Sequence, residues 1–91
     1  MTVYDFPPRL LRASPPQIVY QAAQACLDKG VISNTIIRRV IDLLAVKSLD
    51  EILADQRNVA LIKDILAEYV YRADSLEFAR YARSMIEVLN K

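Results

Sequence analysis

The sequence predicts an all-α fold, a small irregular bundle of four to five short helices with an extended N-terminal arm. Apolar residues recur at intervals of three and four over most of the chain, which is the period of an amphipathic helix. No segment sustains the alternation of apolar and polar residues that a strand requires, and no glycine-containing turn indicates a hairpin. Helix-capping residues also divide the chain into segments of helical length.

The chain's 91 residues suffice for a single domain and are too few for two. We assign residues 14–91 to one helical domain and residues 1–13 to an extended arm. Pro7 and Pro8 lack amide donors and hold their neighbours extended, so the arm is not a helix. We expect its apolar side chains to pack on the helical body or on a partner, with a disordered tail as the alternative: Phe6, Leu10 and Leu11.

The first helix has the clearest boundaries. Ser14, followed by two prolines and then Gln17, has the pattern of a capping box and predicts a helix over Pro15–Lys29. Gly30 is the only glycine and lies where a left-handed C-cap is needed. The apolar face of this helix, which we expect to be buried, contains Ile18, Ala22, Ala25 and Cys26.

A second helix begins after Ser33 or Asn34, either of which can cap it, and continues to about residue 46. Charged residues mark its solvent side: Arg38, Arg39 and Asp42. Apolar residues cover a wide arc of the rest, and we therefore predict that this is the most buried helix, through Ile36, Ile37, Val40, Ile41, Leu43 and Leu44.

Ser48 and Glu51 form a second capping-box pattern, which opens a third helix. The polar run at residues 55–58 favours a break before a fourth helix over residues 57–71, and one continuous helix is the alternative. Glu68 and Arg72 have the spacing of an ion pair on its surface. Its inward stripe contains Ile62, Ile65, Leu66, Tyr69 and Val70.

The last helix is predicted over residues 75–89, with residues 74–77 as a third capping box at its start. Arg83 and Glu87 have the spacing of another ion pair. The apolar stripe of this helix contains Phe78, Ala82, Met85, Ile86 and Leu89.

The composition argues against catalysis and metal binding. The chain has no histidine, which removes the commonest catalytic base and metal ligand, and its one cysteine, Cys26, is best interpreted as a core residue. A single glycine leaves no glycine-rich phosphate loop. The acidic residues between positions 50 and 55 are typical of a solvated helix start. We therefore expect no enzymatic activity, cofactor, metal or small-molecule substrate.

The charge and the cysteine content indicate the surroundings of the protein. The net charge of +1 favours association and lacks the basic excess of most nucleic-acid binders. A single cysteine excludes an internal disulfide and suits a reducing compartment. The sequence has neither the apolar segment of a signal peptide near its start nor an apolar run that could span a membrane. We expect a cytoplasmic protein without membrane association.

The apolar content of 54% exceeds what so small a domain readily buries, which favours a homo-oligomer or a protein partner. We predict a non-enzymatic helical protein–protein interaction module that either self-associates or serves as a subunit or regulator of a larger assembly. Tyrosine and arginine are enriched at such interfaces, and the arm would act as a clasp. The predicted interface residues are Phe6, Leu10, Leu11, Tyr69, Tyr71, Arg80, Tyr81 and Arg83.

The alternative function is that of a nucleic-acid-binding transcriptional regulator. Residues 22–41 contain a helix, Gly30, a short polar turn and a second helix, and this order resembles the generic helix-turn-helix DNA-binding motif. A helical hairpin with a glycine C-cap has the same outline. The resemblance implies contacts with bases or phosphates from Ser33, Asn34, Thr35, Arg38 and Arg39.

Overall fold

Five α-helices and no strand form the described part of the chain, residues 4–7 and 13–91 of a computed structural model. The predicted all-α bundle is therefore confirmed. Residues 4–7 have no regular secondary structure. The helices are α1 at Pro15–Lys29, α2 at Asn34–Val46, α3 at Leu49–Leu53, α4 at Gln56–Arg72 and α5 at Leu76–Leu89.

The helix ends follow the capping residues of the sequence. The side-chain oxygen of Gln17 accepts a hydrogen bond from the Ser14 amide at 2.7 Å, before α1. After α1, Gly30 has a φ of 66° and its amide donates to the Cys26 carbonyl, as a left-handed C-cap requires. The predicted break between α3 and α4 is confirmed, because Asp55 caps α4 by accepting from the Arg57 amide at 2.9 Å.

The start of α5 differs from the prediction. The predicted capping box at residues 74–77 is wrong, because Ser75 is the N-cap and accepts from the Phe78 amide at 3.3 Å. The third residue of the helix is then a phenylalanine, which cannot return a hydrogen bond to the cap. Of the two expected ion pairs, Glu68 contacts Arg72 at 3.5 Å, whereas Arg83 and Glu87 do not form one.

The core is built around α4, which packs against α1, α3 and α5. Cys26 is fully buried, as interpreted from the sequence, and its thiol donates to the Ile65 carbonyl at 3.7 Å. Burial raises the pKa of that thiol, and the nearby Glu68 adds to the rise. The largest fully buried side chains are Ile18, Ile37, Ile52, Leu53, Ile62, Ile65, Leu66 and Met85.

The prediction that α2 is the most buried helix is wrong. Only Ile37 and Val40 of its 13 residues are buried. The main packing partners of α2 are α1 and α3, so its neighbours cover one side of the helix only. The apolar arc is wider than this contact, and Ile36 and Val46 remain exposed.

Candidate protein-interaction surface

Metal-binding side chains do not come together in the described ranges. No three acidic or cysteine side chains among residues 4–7 and 13–91 form a group that could hold a metal ion. The same part of the chain contains no helix with both the length and the apolar character needed to cross a membrane.

The described arm residues close over the bundle of their own chain. Tyr4 and Phe6 stack with their ring centroids 6.3 Å apart, and both pack half-buried against the core. The Tyr81 hydroxyl donates a hydrogen bond to the Pro7 carbonyl at 2.8 Å, which ties the arm to α5. Of the predicted clasp, Leu10 and Leu11 lie outside the described residues.

Two of the predicted interface tyrosines are internal. Tyr69 and Tyr81 are each only 6% exposed, and burial raises the pKa of both phenols. The Tyr69 hydroxyl donates to the side-chain oxygen of Gln21 at 3.3 Å, which joins α4 to α1. Tyr81 lies three residues after Phe78 and four before Met85, so its helical spacing already indicated the core side of α5. These two residues hold the fold together and offer little area to a partner.

The remaining predicted residues lie on the outside of α4 and α5. Tyr71 is 86% exposed near the end of α4, and Arg80 and Arg83 are exposed on α5. A shallow groove is lined by both arginines together with Val70, Leu76 and Ser84, and Tyr71 follows Val70 along α4. We call Tyr71, Leu76, Arg80 and Arg83 the C-terminal surface.

Leu76 is the member of this surface that sequence reasoning missed. It is the first residue of α5 and its side chain is 68% exposed, although leucine is one of the residues most often buried in proteins. In the sequence Leu76 lies within the predicted capping box at residues 74–77, and its apolar side chain was therefore not assigned to a surface. Its position outside the stripe of Phe78, Ala82 and Met85 was the available signal.

The charges of the C-terminal surface are mixed. Arg80 and Arg83 form no ion pair with any other residue in the described ranges, so no carboxylate of those residues neutralises either guanidinium group. Glu77 and Glu87 line the same part of α5. Alternating charges of this kind weaken the attraction of a phosphate backbone and are compatible with a protein interface.

The residues of the alternative function lie on α2 and the turn before it. Ser33, Asn34 and Thr35 are exposed, as are Arg38 and Arg39. Thr35 and the two arginines form one shallow surface that also contains Asp42, Leu43 and Val46. The structure thus brings three of the five predicted nucleic-acid residues to one accessible face, which also contains a carboxylate.

Comparison of the chain with protein-family models, with curated protein sequences and with solved structures gave no match. Neither surface therefore inherits a partner from a relative. Exposure, apolar character and charge distinguish the two.

Proposed function

We propose that the protein is a non-enzymatic helical interaction module that binds a protein partner through the C-terminal surface. The observation that carries this proposal is the exposure of a large apolar side chain, Leu76, on a groove that it shares with Arg80 and Arg83. Neither arginine forms an ion pair within the described ranges, and the exposed Tyr71 follows the groove residue Val70 along α4. A free, buried Cys26 suits a reducing compartment, and we therefore propose a cytoplasmic location.

The residue types of this surface supply binding energy efficiently. Complete burial of a leucine side chain contributes about 1.5–3 kcal/mol, and Leu76 has most of its surface still to bury. Tyrosine and arginine dominate the energetic centres of interfaces because they combine a large contact area with a polar end. The arm and the two internal tyrosines contribute indirectly, since the Tyr81–Pro7 bond ties the arm to α5 and the Tyr69–Gln21 bond joins α4 to α1.

Photo-cross-linking identifies the partner and tests the surface. The full chain is expressed in its native cells with a photoreactive phenylalanine derivative in place of Tyr71. A second cell line carries the same group at Ala60, which is exposed on α4 roughly 16 Å away along the helix. We expect a specific protein to cross-link to position 71 and not to position 60. Mass spectrometry then identifies this protein so that it can be purified.

Titration of the purified partner with the Leu76→Asp variant completes the test. We expect at least about tenfold weaker binding, because a carboxylate would be desolvated in an apolar contact. Aspartate in the first turn of α5 interacts favourably with the helix dipole, so the variant should remain fully folded. Ala60→Asp is the matched control and should bind like the wild type. Equal affinity of Leu76→Asp and the control would refute the proposal.

Nucleic-acid binding is a second candidate function, favoured by the common exposure of Thr35, Arg38 and Arg39 on one face. The test is fluorescence anisotropy of labelled duplex and single-stranded DNA and RNA at about 50 and about 200 mM salt. Binding that falls steeply with salt and disappears in the double variant Arg38→Ala/Arg39→Ala would support this function. Absence of binding at the lower salt concentration would exclude it.

A further inference from the structure

Several apolar side chains of α2 and of the turn before it are left uncovered by the rest of the fold. Val46 is 77% exposed and Ile36 is 41% exposed, and Leu43 is only half-buried. Val31, in the turn before the helix, is also exposed. Burial of such side chains is the main favourable contribution to association, so a helix of this composition gains stability from a second covering layer.

The side chains of this face follow a simple order along the helix. Thr35, Arg39, Asp42 and Val46 are separated by four, three and four residues, which places them on one line of the helix surface. Arg38 and Leu43 flank that line, and all six residues form one shallow surface. We call these six residues the α2 outer face. Within the described ranges, neither arginine nor Asp42 takes part in an ion pair.

We propose that the α2 outer face binds the same face of a second copy of this chain, with the two helices antiparallel about a two-fold axis. The midpoint of the face lies between Arg39 and Asp42. In an antiparallel pair Arg39 of each copy then faces Asp42 of the other, which forms two equivalent ion pairs. Val46 lies opposite Thr35 and Leu43 opposite the aliphatic stem of Arg38, as an isologous contact requires.

The positions of Arg39 and Asp42 along the helix are self-complementary in an antiparallel pair, and this favours a second copy as the partner. A parallel pair of helices would bring Arg39 against Arg39, and a phosphate backbone would be repelled by Asp42 and leave Val46 unused. One helix with its flanking turn covers a small area, so the dimer belongs with interfaces of less than about 1,200 Å² that dissociate readily. The C-terminal surface shares no residue with this face and remains free in the dimer.

Sedimentation equilibrium of the full chain tests the proposal. We expect the average mass to rise from 10.4 kDa towards twice that value as the protein concentration increases from about 1 to about 500 µM. Val46→Lys should weaken the association at least about tenfold, because it places an ammonium group in the apolar contact. Lysine in the last turn of a helix interacts favourably with its dipole, so this exposed site should tolerate the change.

Charge reversal identifies the geometry. Arg39→Asp places two carboxylates opposite each other on each side of the two-fold axis and should abolish the dimer. The double variant Arg39→Asp/Asp42→Arg exchanges the two charges and should restore the dimer, which only reciprocal Arg39–Asp42 pairing explains. Leu76→Asp, on the C-terminal surface, is the control and should dimerise like the wild type. Circular dichroism of each variant confirms that it is folded.

Several results would overturn the proposal. They are a monomer at every concentration, a dimer that Val46→Lys leaves unchanged, or a folded double-reversal variant that stays monomeric. Salt-sensitive binding of duplex DNA by a monomeric chain, lost in Arg39→Asp, would assign the face to nucleic acid instead.

Discussion

The tyrosines show that position along a helix, and not residue type, decides what a side chain does. Tyr69 and Tyr71 are two residues apart on α4, so they point about 200° apart around the helix axis. Tyr69 is buried against α1 and Tyr71 is almost fully exposed. Grouping the tyrosines by type in the sequence therefore combined internal and external residues, although helical spacing alone separates them.

Tyr81→Phe removes the hydrogen bond to Pro7 without changing the shape of the core. We expect the free energy of unfolding to fall by about 0.5–1.5 kcal/mol, the usual net contribution of one hydrogen bond. Amide hydrogen exchange at Tyr4, Asp5 and Phe6 should become faster, because the arm loses its attachment to α5. Urea denaturation gives the free energy of unfolding, and mass spectrometry gives the amide exchange rates of the arm.

Tyr71→Phe is the matched control for this substitution. Its hydroxyl lies at the end of a side chain that is 86% exposed, so stability should change by less than about 0.5 kcal/mol. An equal loss of stability in the two variants would contradict the role of the Tyr81–Pro7 bond.

The helices themselves were predictable from local signals. Ser14, Gly30 and Ser48 each act on backbone groups within four residues, so the sequence suffices to locate the helix ends they set. The start of α5 was misplaced by one residue because Asp74 and Ser75 are both good N-caps. The predicted burial of α2 was wrong for a different reason. The width of an apolar arc does not reveal which neighbouring helices cover that arc.

The capping box of α3 makes stability depend on pH. The Ser48 amide donates to the Glu51 carboxylate at 3.2 Å and the Ser48 hydroxyl at 3.1 Å, and these bonds lower the pKa of Glu51 below its ordinary value of 4.5. A carboxyl group whose pKa is lower in the folded state stabilises the fold above the unfolded pKa. That stabilisation is lost as pH falls through the folded value.

Glu51→Gln keeps the capping geometry and removes this titration. We expect the wild type to lose stability relative to Glu51→Gln as the pH is lowered from 4.5 through the folded pKa of Glu51, measured by urea denaturation at each pH. An NMR titration should give Glu51 a pKa below 4.5. A Glu51 pKa at or above that value would show that the capping bonds are not formed in solution.

The assembled molecule presents two separate faces, and the sequence indicated only some of the residues on each. Arg80 and Arg83, predicted as interface residues, are exposed, but their grouping with Leu76 and Val70 depends on how α4 packs on α5. The uncovered outer face of α2 likewise follows from the position of α2 beside α1 and α3. Such tertiary arrangements are set by many weak contacts between distant segments, and helical periodicity describes only one helix at a time.

The most direct test of the proposed function is a chemical-shift map of the isotopically labelled chain, titrated with the partner that cross-links from position 71. We expect the largest shift changes at Tyr71, Leu76, Arg80 and Arg83 and their neighbours on α5, with α2 unaffected by the partner. Changes centred on α2 or on α1, or no changes at all at saturating partner concentration, would contradict the C-terminal surface as the binding site.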